Sequence, residues 1–168
     1  MTAASQTGRV TVMGPDGRPR VYTVDPLGHR IVVTDAETGD VLFTFGRRGS
    51  PLGCFDVPLD LAVVAPTFHD DPPSAAGESW LAVADYGNAR VQIFELDGRL
   101  VDVLNGEDLD YGWRPCEVTW RAPFLQIRGV EGRGCRIHLA AALLAHAGGR
   151  VDRLTPASDD ADVHQGCH

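Results

Sequence analysis

Carboxylate and guanidinium side chains recur at one fixed spacing. Asp25 is followed five positions later by Arg30, and Asp85 five positions later by Arg90. A four-residue turn between them brings the two groups to one edge of a hairpin, where they form a charge-assisted hydrogen bond. Because the pair is repeated, it reads as a structural turn lock; an exposed recognition pair is the alternative. Asp60 and Glu117 stand near the start of two apolar segments, two places after Pro58 and Pro115. Carboxylates suit a hard cation such as Ca²⁺, but two are fewer than such an ion takes, so whether they ligate a metal or are solvated stays open. Tyr111, Trp113 and Arg114 fall together in the turn-rich stretch DLDYGWRP. Aromatic rings beside an arginine have the chemistry of a protein-binding hot spot. The last residues, PASDDADVHQGCH, carry zinc-type ligands in Asp159, Asp160, Asp162, His164, Cys167 and His168. They lack a fixed ligand spacing, so disorder is the expectation there. His29, His69, His138 and His146 are scattered and form no relay pattern. There is no Ser-His-Asp order and no phosphate-cradling glycine loop, and the GVEGRG stretch is a turn rather than a dinucleotide fingerprint. No catalytic residue is assigned, and no cofactor is expected.

The elements that must carry these groups are strands. Short β-branched and apolar segments alternate with Gly, Asp and Pro turns, as in half-buried antiparallel sheets. The segments are 10–13, 21–24, 30–34 and 41–45, then 60–64, 80–84, 90–95 and 100–104, then 117–120, 124–128, 136–139 and 151–154. Twelve strands in three sets of four is the arithmetic of three propeller blades. The sets repeat in sequence: DPLGHRIVVTDAETGDVLFTF from Asp25 is a copy of DYGNARVQIFELDGRLVDVL from Asp85. Ile31, Val91 and Ile137 take the same place, each directly after an arginine, at separations of 60 and 46. The longer interval holds an insertion, 67–79 (TFHDDPPSAAGES), whose composition is that of a flexible loop. Without it, both repeats fall within the roughly 40–50 residues of a four-stranded blade. The third copy is worn, with a swollen turn and an Ala-rich stretch, and its Arg136 has no evident aspartate partner.

The motif DYGNARVQIF followed by DGR resembles the NHL repeat, a six-bladed β-propeller family, and residues 21–50 look like a second copy. The resemblance covers residues 21–104 well and 115–154 poorly. It implies an all-β fold of about three four-stranded, NHL-like β-propeller blades, hence a partial or half propeller. Family members commonly bind proteins through their loops, which implies a non-enzymatic interaction scaffold. Some propeller lyases and lactonases of similar fold place a metal in the central channel. That implies the alternative, a metal-assisted lyase or hydrolase drawing on Asp60 and Glu117.

Composition bounds these readings. A chain of 168 residues with 43% hydrophobic content makes one domain with a real core. Residues 1–8 form a flexible start, 9–155 the blades with the 67–79 insertion, and 156–168 a disordered acidic tail. The net charge of -8 disfavours nucleic acid as a partner, and every basic residue is Arg. No membrane span and no signal peptide is visible. Cys54, Cys116, Cys135 and Cys167 form no C-x-x-C pair, so four reduced thiols and a cytoplasmic location are expected. Three blades do not close a ring, and an open fan is expected to expose apolar faces. Two copies would complete a six-bladed ring, so a homodimer is one expected partner arrangement.

Overall fold

In the computed structural model, residues 8–65, 79–105, 114–130, 132 and 134–138 are described. All regular elements but one are strands. Blade one is a four-stranded sheet of β1 (Arg9–Met13), β2 (Pro19–Asp25), β3 (Arg30–Asp35) and β4 (Val41–Phe45), in that order. Blade two repeats the plan with β5 (Pro58–Val64), β6 (Trp80–Asp85), β7 (Arg90–Glu95) and β8 (Leu100–Leu104). A single 3₁₀ turn, Tyr86–Asn88, joins β6 to β7. In blade three, β9 (Pro115–Arg121), β10 (Phe124–Gly129) and β11 (Gly134–His138) pair in sequence order. Every sheet pairing is antiparallel. The chain is therefore all-β, with three propeller-like blades. The expected fourth strand of blade three, 151–154, lies outside the described residues, as do the insertion core and the acidic tail.

Burial explains the strand compositions. Blade one turns Tyr22, Val24, Ile31 and Val33 toward Leu61, Leu81, Val83 and Phe94 of blade two. Blade two turns Ala62, Ala82, Ala84, Val91 and Ile93 toward Val118, Leu125 and Ile127 of blade three. Blade two is thus covered on both faces, and all six residues of β6 are buried. A strand buried on both sides needs a continuous apolar run rather than alternation, which is what WLAVA supplies. Between blades one and two, the Phe94 ring lies 5.2 Å from Phe45 and 5.5 Å from Phe55. Trp80 packs on the opposite side, in the cluster shared with blade three.

The third repeat departs from the expected register. In blades one and two the last pair before the turn is Asp25 with Arg30 and Asp85 with Arg90. In blade three, Arg136 pairs with Gln126, while Arg128 pairs with Gly134 nearer the turn. The glycine-rich turn allows the ladder to run on: Gly132 takes φ 75 and its N–H reaches the Gly129 carbonyl at 3.1 Å. Arg136 is therefore a mid-strand residue, and Ile137 takes the place of Phe94 rather than of Val91.

The connection 46–57 between β4 and β5 packs against the first two blades, and glycine permits it. Gly46 has φ 87, and a Cβ there would overlap the Phe55 ring. Gly17 has φ 74 and open space around it. Gly17→Ala should cost about 1 kcal/mol through backbone strain alone. Gly46→Ala adds displacement of a buried ring and should cost about 2–4 kcal/mol. Urea unfolding of the two variants side by side checks the difference.

Candidate functional site

The two repeated hairpins have different surroundings. In blade one, Arg30 Nε donates to Asp25 Oδ2 at 2.9 Å, and the Gly28 amide donates to Asp25 Oδ1 at 2.8 Å. These side chains are 48% and 30% exposed. The Gly28 amide first, then the Arg30 guanidinium, hold the Asp25 carboxyl below the usual range. In blade two the same pair, at 2.8 Å, is buried, at 10% and 0% exposure. There Arg90 also donates to three backbone carbonyls of the 46–57 connection: Ser50 at 2.9 Å, Pro51 at 3.0 Å and Cys54 at 2.9 Å. Asp85 accepts the Asp56 amide at 2.7 Å, and Gln92 bridges the Cys54 carbonyl and the Gly53 amide. Asn88 joins Asp85 to the Gly49 carbonyl. One hairpin is therefore an exposed turn lock, and its copy is a clamp on the connection that links the blades.

Gln92, Asn88 and Asp56 were not singled out from the sequence, and His29 was read only as one of the scattered histidines. Gln92 had a signal, being the one polar residue among Val91, Ile93 and Phe94 on a strand buried on both faces. His29 Nδ1 accepts the amide of Val57 at 3.1 Å. Val57 holds φ 50, which a β-branched residue rarely adopts. That contact spans 28 residues, and no local pattern announces it.

Asp60 and Glu117 occupy matching ladder positions, opposite Ala84 and Arg128. Their environments differ. Asp60 is 1% exposed; its Oδ1 accepts the Gly8 amide at 2.6 Å and its Oδ2 the Val118 amide at 3.0 Å. Glu117 is 40% exposed and faces Arg128 Nη1 at 3.8 Å. Among the described residues no three His, Cys, Asp or Glu side chains group as metal ligands. Tyr111 and Trp113 lie outside the described residues, whereas Arg114 is exposed and its guanidinium sits 5.3 Å over the Tyr86 ring. Cys116 stands in a disulfide, so the expectation of four reduced thiols does not hold.

A second feature is a rim. The β2–β3, β6–β7 and β10–β11 turns, the β4–β5 connection and Arg114 ahead of β9 share one end of the sheets, as up-and-down topology requires. Contacts run along it from His29 to Val57, from Asp56 to the Gly87 amide at 2.7 Å, from Tyr86 to Arg114, and from Arg114 to the Val130 amide at 3.4 Å. Three large exposed apolar side chains lie on this rim: Leu27 at 93%, Leu52 at 64% and Val130 at 43%.

No protein-family model matches the chain, and no curated protein matches it. Among solved structures it is similar to hydrazine synthase of Kuenenia stuttgartiensis, a β-propeller-containing protein. The TM-score is 0.50 at 14% identity, over 76% of this chain. This chain spans 31% of the length of that one. At that identity the likeness is one of fold.

Two predictions arise from the buried groups. Arg90→Ala should cost about 3–5 kcal/mol, because it leaves Asp85 buried without its partner and frees three carbonyls. Arg30→Ala should cost less than about 1 kcal/mol, as an exposed pair does; equal losses in chemical unfolding would contradict the distinction. Burial, opposed by the Val118 and Gly8 amides, raises the Asp60 carboxyl above its ordinary 3.8. A raised folded-state value means that its stabilising contribution is complete below the unfolded value and is lost as pH rises through the folded one. Wild type should therefore lose stability relative to Asp60→Asn as pH climbs through that window. Paired unfolding curves across mildly acid to neutral pH measure it.

Proposed function

We propose that this chain is a non-enzymatic protein-interaction scaffold of NHL-like blades that binds a partner protein through the loops of its rim. The supporting observation is the rim's chemistry. Leu27, Leu52 and Val130 are exposed there, beside the Arg114 guanidinium stacked on Tyr86. Apolar anchors flanked by an arginine on a rigid aromatic are what hot spots are made of. The strands beneath are fixed by the blade cores, so the loops are presented by a scaffold that does not have to move. Tyr111 and Trp113, which the sequence reading grouped with Arg114, lie outside the described residues. Asp60, the carboxylate that a metal-assisted reaction would draw on, already accepts a backbone amide on each oxygen. That favours the binding role over the lyase or hydrolase alternative.

Among the described residues no helix is long and apolar enough to cross a membrane. A cytoplasmic setting remains part of the proposal, and the Cys116 disulfide weighs against it, since such bonds are rare in reducing compartments.

The double variant Leu27→Ser with Leu52→Ser should fold as the wild type does, because both side chains are solvent-facing. In-cell cross-linking with quantification of captured proteins should show one or more partners falling by about tenfold or more in the variant. An unchanged partner profile would remove the rim as the binding surface.

A further inference from the structure

The far face of blade three is lined by charged and polar side chains. Aligning the inner strands on Pro58 and Pro115 sets blade two over blade three, row for row. The row Ala62, Ala82, Ile93, which packs on blade three, becomes Thr119, Gln126, Arg136 on blade three's own far face. In the next rows Ala84 becomes Arg128 and Val64 becomes Arg121. Strand alternation separates these from Val118, Leu125 and Ile127, which point back into the core. Thr119, Arg121, Gln126, Arg128 and Glu117 line one shallow depression of about 70 Å³.

Another blade stacked on this face would bury guanidinium groups against apolar side chains, at a cost of several kcal/mol each. Blade one's far face is mixed: Arg9, Thr11 and Met13 are exposed on β1, and Val21, Val32 and Val41 lie on the same side. Blade one also carries Leu27 where blade two has Gly87, at which even a Cβ would overlap Asp56 of the connection docked there. A further blade stacked on blade three would therefore find charged and polar groups there instead of the apolar face expected from the sequence.

We propose that the far face of blade three is a docking surface for an acidic, extended peptide segment of a partner protein. The argument is charge complementarity. Arg121 and Arg128 line the depression with Glu117 as its acidic member, and Arg136 on the same face lies 5.8 Å over the Phe124 ring, in a chain whose net charge is -8. Glu117 engages Arg128 only at 3.8 Å, and Arg121 is exposed. Guanidinium groups hold carboxylates through paired N–H donors, and a flat sheet spaces them for an extended chain. A long polyanion is disfavoured because it would extend beyond this patch over the acidic remainder. This surface is separate from the rim, so either can fail alone.

The test uses the full chain and a fluorescently labelled octaglutamate peptide, followed by anisotropy. Wild type should bind it, more weakly as salt rises. Arg121→Ala with Arg128→Ala should weaken binding about tenfold or more. Gln126→Glu, which keeps both arginines but adds a repelling carboxylate, should also weaken it, and Leu27→Ser with Leu52→Ser should not. Thermal unfolding of each variant confirms that the fold is intact. Absent binding, or equal binding by the arginine variant, overturns the proposal. So does tighter binding of a single-stranded oligonucleotide of equal charge, which would assign the face to nucleic acid. A roughly tenfold gain on changing Asp159, Asp160 and Asp162 to Asn would instead make the chain's own acidic segment the occupant. A wild-type dimer in sedimentation that the arginine variant abolishes would make it a second copy.

Discussion

One carboxylate touches all three blades. Asp60 belongs to the inner strand of blade two, and its oxygens accept the amides of Gly8, at the head of blade one's inner strand, and of Val118 in that of blade three. Sheets stacked face to face through Leu, Ile, Val and Phe have little to set their rotation or sliding, since apolar contact is nondirectional. Two hydrogen bonds from a single buried group fix that geometry. The cost is visible in the same residue, whose carboxyl is pushed upward by burial even while amides oppose the shift. A neutral side chain would avoid the desolvation but could not accept two amides with two equivalent oxygens. The arrangement trades stability for a defined relation between the inner strands.

The clamp at Asp85 and Arg90 does for the connection what Asp60 does for the sheets. Six backbone groups of residues 49–56, the carbonyls of Gly49, Ser50, Pro51 and Cys54 and the amides of Gly53 and Asp56, bond to Asp85, Asn88, Arg90 or Gln92, in a segment with no strand ladder of its own. The Cys54 carbonyl, the buried one among them, would otherwise lack a partner. The sequence repeats the Asp and Arg in blade one, yet there the pair supports only its own turn. One sequence signature therefore performs two physical tasks, decided by whether another segment lies over it.

That difference marks the boundary of what was legible. The strands of blades one and two, their turns, and the two ion pairs follow from local alternation and spacing, and the structure places them within a residue or two of the expected positions. Long-range contacts did not show. Asp60 bonds across 52 and 58 residues, and its partners are backbone amides, which every residue carries. In blade three, repetition itself misled, because Arg136 followed by Ile137 imitates Arg30 with Ile31 and Arg90 with Val91. Pairing is set by where the turn closes, and glycines in that turn let the ladder extend past the position that the imitation implied.

The two faces of blade three differ in kind. A repeat array stays soluble when its terminal units carry a polar outer face, whereas internal units must be apolar on both sides. Blade two obeys the internal rule throughout β6, and blade three keeps it on the side that faces blade two. Erosion of the third repeat, viewed from its sequence, resembles decay. Viewed from the sheet, the changes are selective: Val118, Leu125 and Ile127 keep the apolar face, while Thr119, Arg121, Gln126 and Arg128 alter the other. Random loss would fall on both faces alike. Selective change on one face leaves a surface of arginine and polar side chains that suits recognition of something other than another blade.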